Sequence, residues 1–485
     1  MLLIIAVVLL FYFLYINSCK PRGYPPGPVR LPLVGFLPYI KKECFHKQAT
    51  QLSSTYGNVI GLYFGTKANV VVNGWDAVKD SLLNDQLNGR PENLIYNIIF
   101  DGKQRGMLYV EKDFFKEQRR FTLHQFRNLG FGKQSSKEVI HEEVNDLIKE
   151  IQETEGSILI KDVVGVSAIN ILWALMGGKR FSRSDDRLLH LVKVVNDLFS
   201  SGDLSRGIVS ILPGLRHILP ESSSFKLYLR SNQRVFNFIR KTVEEHKETF
   251  DPDNLRDFID IYINEVIKRN NIADTTFTDD QLIALCGNIF IAGVETQSSY
   301  LSYGFLLTIL HPHVMVKIHQ ELDAVVGHSR LPSNDDRKSL VYTNATLMET
   351  FRFRCPTPIT VPHRALTDTE LQGHRIPAGT VVLNNIYSVH VDPEYWGDPH
   401  TFRPERFINP DGSLRVDERL IPFGKGNRSC LGESLARMET FLLFSSLMHH
   451  FTFTLDPTVP VSDTEGKMGL TLAPPQFRVF AKARV

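Results

Sequence analysis

The sequence predicts a mainly α-helical protein with small β regions, arranged as one large body with a minor β-rich part and an N-terminal transmembrane anchor. Three observations predict this fold class. Apolar residues recur at helical spacing over long runs. The alternation that is typical of strands is confined to short segments. Residues 1–16 are all apolar and carry no charge.

Residues 1–19 are expected to form the anchor. A helix of this length spans roughly 28 Å, close to the ~30 Å hydrocarbon core of a bilayer. A cleaved signal peptide would begin with basic residues and end at a small-residue cleavage site, and neither is visible. Lys20 and Arg22 follow the apolar run, so the positive-inside rule puts the rest of the chain in the cytosol. Residues 20–30 are rich in proline and glycine, which predicts a stiff connector.

The remaining residues, 31–485, are expected to form one domain. A length of 485 residues allows about three domains of ~150 residues, but no stretch has the composition of a linker between independent domains. The polar residues 331–340 are expected to form a surface loop. The expected helices are 137–152, 225–247 and 279–310, and the expected strands are a hairpin over 59–72 and short strands at 380–383 and 477–480.

Composition and charge exclude several classes of protein. Apolar residues make up 43% and charged residues 22%, which excludes a disordered or fibrous chain. The 55 basic and 53 acidic residues leave a net charge of +2, which argues against a nucleic-acid partner. The five cysteines are few, widely spaced and odd in number, so we expect a reducing compartment rather than a disulfide scaffold.

The strongest local signal is a glycine-rich loop, residues 423–432, that delivers a cysteine to the start of a helix. It reads Phe-Gly-Lys-Gly-Asn-Arg-Ser-Cys-Leu-Gly. Backbone N–H groups at a helix N-terminus stabilise an anion, and Arg428 adds positive charge, so Cys430 is poised to be a thiolate. From this microenvironment alone, an inert buried cysteine in a tight turn remains an alternative.

This loop resembles the haem-ligand signature of the cytochrome P450 family, Phe-x-x-Gly-x-Arg-x-Cys-x-Gly, at all five fixed positions. Such a match arises by chance in about one chain of this length in 10⁴. The resemblance extends over essentially the whole chain and implies the cytochrome P450 fold. It also implies haem b as the cofactor, with Cys430 as the axial thiolate ligand of the iron and with Phe423 and Gly426 among the cofactor-binding residues.

Two further segments resemble a structural motif of the same family. Glu349 and Arg352 match its Glu-x-x-Arg pair, whose side chains share a helix face and can form an ion pair. Residues 402–407 resemble the segment that supplies a second arginine, here Arg406. The resemblance therefore implies a structural Glu349–Arg352–Arg406 cluster behind the haem.

The long helix 279–310 contains Ala292-Gly293-Val294-Glu295-Thr296. A glycine inside a helix costs roughly 1 kcal/mol relative to alanine, so Gly293 needs a reason. It indicates either close helix packing, with the Thr296 hydroxyl bonded to its preceding turn, or a local opening beside bound oxygen. The family places a proton-delivering acid–alcohol pair here, which implies Glu295 and Thr296 as catalytic residues and Ala292 and Gly293 as neighbours of the cofactor.

Haem carries two propionates, which need cationic or N–H partners. A segment that resembles the family's Trp-x-x-x-Arg helix implies Arg119 as one partner. Phe115 stands in the tryptophan position, and because phenylalanine has no N–H donor, we expect one propionate hydrogen bond to be lost. The resemblance also implies His363, Arg428 and Arg90, although a solvated charge is an equal alternative for Arg90.

Residues 116–121, 127–130 and 431–437 most resemble the microsomal enzymes that oxidise drugs, steroids and hormones. The implied function is a monooxygenase that inserts one oxygen atom from O2 into a lipophilic steroid, terpenoid, fatty acid or xenobiotic, by hydroxylation or epoxidation. The implied partners are NADPH–cytochrome P450 reductase, cytochrome b5 and the endoplasmic reticulum membrane, with the catalytic domain facing the cytosol. The expected pocket walls are apolar, which favours a lipophilic substrate; they are 93–110, the Phe290 side of the long helix, 358–361 and 470–472.

A set of basic residues is expected to form a docking face for an acidic reductase, with an ordinary solvated face as the alternative. These residues are Lys116, Arg120, Arg127, Lys133 and Lys425.

Three other functions remain open from the sequence. The first is a haem-thiolate isomerase or dehydratase that uses no O2, although such enzymes commonly lack the acid–alcohol pair. The second is a non-catalytic haem or lipophile carrier. The third is an anchored protein whose cysteine loop is only structural, which predicts that no haem binds.

Overall fold

The computed structural model describes residues 19–130, 134–201, 209, 213–221, 223–461 and 463–484. The predicted anchor lies outside these residues except for Cys19. Over the described residues the fold is mainly helical with short strands, as the sequence predicts. The division into anchor, connector and catalytic domain stays a prediction.

The helices form most of the body and surround one long central helix. They are α1 (Phe45–Tyr56), α2 (Trp75–Leu83), α3 (Leu94–Ile99), α4 (Lys112–Asn128), α5 (Gln134–Glu153), α6 (Ile160–Gly177), α7 (Asp186–Ser201), α8 (Ser224–Glu248), α9 (Phe258–Lys268), α10 (Asp279–Leu310), α11 (Pro312–Val325), α12 (Val341–Phe353), α13 (Ile386–His390), α14 (Pro393–Trp396) and α15 (Glu433–His450).

The strands are short and form small separate sheets. They are β1 (Val59–Phe64), β2 (Lys67–Val72), β3 (Ile158–Leu159), β4 (His363–Arg364), β5 (Thr369–Leu371), β6 (His374–Ile376), β7 (Val381–Asn384), β8 (Phe451–Leu455), β9 (Lys467–Met468), β10 (Leu472–Ala473) and β11 (Arg478–Ala483). One sheet has the order β1-β2-β7-β4 and another has the order β3-β11-β8, while β9 pairs with β10 and β5 with β6.

The predicted hairpin is present as β1 and β2, with Val59 opposite Val72 and Phe64 opposite Lys67. Gly65 adopts a φ of +64° in the turn, a conformation that glycine reaches without strain. The predicted strand at 380–383 is β7, which pairs in parallel with β2, and the strand predicted at 477–480 is β11.

The central helix α10 has the predicted bounds and is buried over most of its length. The Thr278 side chain caps it by accepting a hydrogen bond from the N–H of Gln281, and the helix ends before Pro312. It packs against α6, α8, α12 and α15. Because α10 is buried on nearly all sides, the polar residues in its middle take internal positions.

Among the described residues, α6 is the helix that is long and apolar enough to cross a membrane on its own. Most of its surface is buried inside the body, since 78% of the apolar window is covered. We therefore interpret α6 as a core helix that packs on α10.

The connector after the predicted anchor is bound to the first sheet. Lys20 Nζ donates to the carbonyls of Gly27 (2.9 Å) and Gly61 (3.1 Å), and the buried Tyr24 donates its hydroxyl to the carbonyl of Asn69 (2.8 Å). These contacts hold Lys20 and Tyr24, at the start of the described chain, against the sheet that contains β1 and β2.

Candidate active site

A large internal cavity lies between α10, the cysteine loop and the segment that precedes β4. It contains about 1750 Å³ of atom-free space, including the part open to solvent. Most of the predicted site residues meet in its wall. These are Arg90, Arg119, Ala292, Gly293, Thr296, His363, Phe423, Arg428 and Cys430. Gly426 and Glu295 are absent from the described residues that line it.

The cysteine loop places the thiol of Cys430 in the cavity wall. Gly424 and Gly426 have φ values of +70° and +73°, which favour glycine. A Cβ on Gly426 would lie 2.4 Å from the carbonyl oxygen of Leu82, so the loop lies too close to α2 for any side chain there. The N–H of Cys430 donates to the carbonyl of Phe423 (2.9 Å) and closes the loop. Gly426 therefore shapes the loop without lining the cavity.

The Cys430 thiol is exposed to the cavity but lies deep in the protein. Burial raises the pKa of Cys430, and the N–H groups of Gly432 and Glu433 and the charge of Arg119 oppose this rise. α15 begins at Glu433, so Cys430 lies just before a helix N-terminus, as the sequence predicts. Coordination to a metal deprotonates a thiol outright, so the raised pKa of the free thiol is compatible with iron ligation.

Three arginines in the cavity wall, Arg90, Arg119 and Arg428, form no ion pair with any residue that the structure describes. Their hydrogen bonds go to backbone carbonyls and, for Arg119, to the Ser429 hydroxyl. Burial lowers the pKa of Arg90 to about 9 and that of Arg428 to about 10, and repulsion between the arginines adds to both shifts. Since buried charges are ordinarily paired, this group indicates an anionic ligand at the same end of the cavity.

This charge distribution fits the haem that the resemblance implies. Two propionates would compensate the arginines, because a guanidinium binds a carboxylate through two parallel hydrogen bonds. His363 Nδ1 forms a hydrogen bond with the carbonyl of Leu87 (3.0 Å), and burial, with the charges of Arg90 and Arg428, lowers the pKa of His363 to about 3. A neutral imidazole that donates from Nδ1 has no proton on Nε2, which is then an acceptor. His363 can therefore donate to a propionate only if Nε2 is protonated as well.

Phe115, at the family's tryptophan position, packs against the same arginines. The guanidinium carbon of Arg428 lies 3.5 Å from the centroid of the Phe115 ring, and that of Arg119 lies at 5.9 Å. This geometry is typical of cation–π contact. Phe115 thus supports the propionate partners, although it has no N–H to donate itself.

Ala292, Gly293 and Thr296 line the cavity from one face of α10. The Thr296 hydroxyl donates to the carbonyl of Ala292 (2.7 Å). A Cβ on Gly293 would lie 2.9 Å from Cδ2 of Leu172 on α6, so the glycine allows close packing of the two helices. α10 is continuous here. The structure therefore has close packing at Gly293 and a back-bonded Thr296 hydroxyl, and the local opening beside bound oxygen stays a prediction.

Glu295 faces α6 instead of the cavity. Its Oε1 accepts hydrogen bonds from Lys161 Nζ (2.8 Å) and the Ser299 hydroxyl (3.0 Å), and its side chain is buried. Glu295 points about 100° away from Thr296 on the helix, and its ion pair with Lys161 holds the carboxylate toward α6. The predicted acid–alcohol pair is therefore divided, with the alcohol in the cavity wall and the acid in an ion pair.

Glu349, Arg352 and Arg406 form the predicted cluster. Glu349 accepts hydrogen bonds from Nε and Nη2 of Arg352 (2.7 Å each) and from Nε of Arg406 (3.2 Å). Arg352 also donates to the carbonyls of His390 and Pro399. The cluster joins α12 to the chain that follows α13, outside the cavity wall, which is the geometry of a structural group.

Several cavity residues were missed by the sequence analysis. Leu172 and Ala168 come from α6, and Gln297 and Glu439 come from α10 and α15. Glu439 is an acid within an otherwise largely apolar run, which was the available signal in the sequence. The predicted wall at 470–472 is not among the described residues that line the cavity.

The chain is similar to known proteins over nearly its full length. The chain matches the family model Cytochrome P450 over residues 25–480. It is 33% identical to "Farnesoate epoxidase" of Bombyx mori, over 100% of this chain and 99% of that protein. It is 35% identical to "Cytochrome P450 2J1" of Oryctolagus cuniculus, with 100% and 96% covered, and 33% identical to "Cytochrome P450 2B2" of Rattus norvegicus, with 100% and 99% covered. The protein therefore belongs to the cytochrome P450 family and is a haem-dependent P450 monooxygenase.

Proposed function

We propose that the protein inserts one oxygen atom from O2 into a small, uncharged lipophilic substrate, by hydroxylation or epoxidation. NADPH supplies the electrons through NADPH–cytochrome P450 reductase, with cytochrome b5 as an additional donor. For hydroxylation, RH, O2, NADPH and H⁺ give ROH, H2O and NADP⁺. The observation that supports this best is one cavity whose wall holds the Cys430 thiol, the Thr296 hydroxyl and three arginines that form no ion pair with a described residue.

Haem bound in this cavity supplies oxygen activation and one-electron chemistry. Cys430 would hold it from the loop, while Arg90, Arg119 and Arg428 would bind its propionates. Thr296 Oγ1 donates to its own helix and retains lone pairs toward the cavity, so it can accept a hydrogen bond and hold a proton donor in place. The small side chains at positions 292 and 293 leave space beside it.

The cavity wall supports an uncharged substrate. Among the described residues, the ionisable side chains of the wall are Cys430, Glu439, Lys425, Tyr300 and the arginine–histidine group assigned to the propionates. The remaining wall is mostly apolar, and its two amides are already used. Asn288 Oδ1 accepts the N–H groups of Met107 and Leu108, and its Nδ2 donates to the Tyr96 hydroxyl. Gln297 Nε2 donates to the carbonyl of Ala436 (3.2 Å), and its Oε1 accepts from the Thr440 hydroxyl (3.3 Å).

Outside the arginine group, Lys425 is the one cation among the described wall residues, and its Nζ lies against the Trp75 ring. A substrate carboxylate elsewhere in the cavity would therefore be buried without a cationic partner, which costs several kcal/mol.

A matched pair of ligands tests this property. The name of the Bombyx mori relative specifies epoxidation of a farnesoate, so a sesquiterpenoid acid and its methyl ester are suitable probes. We expect the ester to shift the haem spin state at a concentration at least about tenfold lower than the acid, since each ~1.4 kcal/mol is a factor of ten. Equal affinity, or tighter binding of the acid, would contradict an uncharged substrate.

The reductase is proposed to dock on the basic face that the sequence analysis defined. Lys116, Arg120 and Arg127 are exposed on α4, and Lys425 lies in the cysteine loop with its Nζ 5.0 Å from the centroid of the Trp75 ring. Lys133 lies outside the described residues. A cluster of positive charges on one surface raises the rate of encounter with an acidic partner, and added salt lowers that rate.

Residues 1–19 are proposed to anchor the protein in the endoplasmic reticulum membrane, with the catalytic domain in the cytosol. The apolar run followed by Lys20 and Arg22 supports this orientation. Protease protection of intact microsomes tests it, because a cytosolic domain is digested without detergent.

Reconstitution with reductase, NADPH and O2 tests the reaction itself. We expect substrate-dependent NADPH oxidation and an oxygenated product, both lost in Cys430→Ala. Conversion of a peroxide substrate without NADPH or O2 would instead support the isomerase.

A further inference from the structure

The helix that follows the cysteine loop begins with an ion pair that no role described above uses. Glu433 is the first residue of α15, and its Oε1 accepts a hydrogen bond from Nε of Arg437, four residues later (2.9 Å). Both side chains are partly exposed, and pairs of this kind contribute little to stability. This pair differs from others on the surface because it lies three residues after Cys430.

Glu433 acts on the sulfur of Cys430 in two opposite ways. Its backbone N–H, like that of Gly432, donates toward the sulfur and stabilises a negative charge there. Its carboxylate has the opposite effect. Burial raises the pKa of Cys430, and the negative charge of Glu433 adds to the rise, whereas the two N–H groups and Arg119 oppose it. The sulfur therefore lies within the field of the Glu433 carboxylate.

Arg437 is held over the phenylalanine of the cysteine loop. Its guanidinium carbon lies 4.7 Å from the centroid of the Phe423 ring and 6.0 Å from that of Phe351. The two rings contact each other edge to face, with their centroids 5.1 Å apart. The Phe423 carbonyl accepts the N–H of Cys430 (2.9 Å). The rings and the ion pair thus hold the charge of Arg437 against the loop that carries the sulfur.

We propose that the Glu433–Arg437 pair sets the reduction potential of the thiolate-ligated iron. Reduction from the ferric to the ferrous state adds one electron, which the reductase supplies, and lowers the charge of the haem centre by one. The Glu433 carboxylate disfavours this added negative charge, and the Arg437 guanidinium offsets the carboxylate. The inference rests on the proposed function, whose electrons enter at this iron.

Both members of the pair are positioning residues. Neither side chain is among the described residues that line the cavity, so neither contacts substrate there. Glu433 acts through the sulfur of Cys430, and Arg437 acts through Glu433 and the Phe423 ring. Their effect is therefore expected at the iron's potential and not in the shape of the cavity.

Redox titration of the haem-loaded protein, without substrate or reductase, tests the proposal. Removing the carboxylate in Glu433→Gln should favour ferrous iron, and removing the guanidinium in Arg437→Gln should favour ferric iron. Because the charges are partly exposed and the sulfur is buried, we expect the ferrous-to-ferric ratio at a fixed potential to change about fivefold in each direction. A tenfold change is about 59 mV for a one-electron couple, so a fivefold change is about 40 mV.

Matched variants separate charge from structure. Damage to the loop would shift both single variants in the same direction, whereas a charge effect gives opposite signs. Arg437→Lys keeps the charge, and the double variant Glu433→Gln/Arg437→Gln removes both charges, so both should stay within about twofold of wild type. Glu245→Gln removes the acid of an exposed pair with the same spacing on α8, and no shift is expected.

The ferrous–CO spectrum of every variant should be that of thiolate-ligated haem, because neither side chain is a ligand. Shifts of the same sign in Glu433→Gln and Arg437→Gln, or shifts no larger than that of Glu245→Gln, would overturn the proposal. So would a shift in Arg437→Lys equal to that in Arg437→Gln, or loss of the thiolate spectrum in Glu433→Gln, which would make Glu433 a support of the ligand.

The proposed function is controlled separately, because an equilibrium potential requires no turnover. The expected shifts in a protein that forms no NADPH-dependent product would contradict only the proposed function. Product formation by wild type, together with unchanged potentials in both single variants, would overturn only the role of the pair.

Discussion

Replacing Glu349 by glutamine is expected to destabilise the whole protein, although the change is nearly isosteric. Glu349 accepts hydrogen bonds from both Arg352 and Arg406, and the side chains of Glu349 and Arg352 are 0% exposed. In the variant, Arg406 keeps a contact with Asp398 (2.7 Å), but the buried charge of Arg352 loses its counter-ion. Removing one partner from a buried ion pair costs about 3–5 kcal/mol.

Urea unfolding, followed by tryptophan fluorescence and by Soret absorbance, measures this loss. At ~1.4 kcal/mol per factor of ten, the folding equilibrium should fall by about 10²- to 10⁴-fold, with an unchanged dependence on urea. Asp368→Asn is the matched control, because Asp368 forms an exposed pair with Arg375 that solvent screens, and no measurable loss is expected.

Two outcomes separate a structural role from a catalytic one. The fraction of Glu349→Gln that stays folded should keep the spectrum of a thiolate-ligated haem, because Glu349 lies outside the cavity wall. A loss of stability below about 1 kcal/mol, or a midpoint equal to that of the Asp368→Asn control, would refute the reasoning, since a buried unpaired arginine should cost more.

Two further predictions concern the cysteine loop and the reductase face. Gly426→Ala should lose most bound haem, because a Cβ there would lie 2.4 Å from a backbone oxygen. Gly165→Ala is the control: it lies on α6 outside the cavity wall, and its Cβ would meet its nearest atoms at an ordinary 3.7 Å, so it should bind haem normally in a pyridine haemochrome assay. Equal haem content in the two variants would contradict the loop geometry. The double variant Lys116→Glu/Arg120→Glu should need more reductase for half-maximal turnover and show weaker salt dependence than Lys241→Glu, an exposed control on α8. Unchanged turnover and salt dependence in the double variant would refute the docking face.

The cysteine loop and α10 were predictable from the sequence because their signals are local. In the cysteine loop the signals are glycines with positive φ and a cysteine just before a helix. In α10 the signal is an apolar run with a capping residue at its start. Each of these signals depends on residues that are close together in the sequence. The hairpin β1–β2 was predictable for the same reason, since its strands are joined by a short turn. The presence of Thr296 in the cavity wall followed from its helical spacing to Ala292.

The direction of Glu295 and the location of Glu439 depend on contacts between distant elements. Glu295 faces α6 because Lys161, which is far away in the sequence, provides its counter-ion there. Glu439 becomes a cavity residue only when α15 packs beside Gln297 of α10. Helix periodicity gives the faces of each helix but not its neighbours, so the sequence could not decide which acid lies in the cavity wall.

Turnover under isotopically labelled O2 tests the central claim most directly. With reductase, NADPH and an uncharged lipophile that shifts the haem spin state, the product should contain one labelled oxygen atom, and Cys430→Ala should form none. Label that comes from water instead of O2, or a labelled product of the same yield from Cys430→Ala, would contradict a monooxygenase built on the Cys430 thiolate.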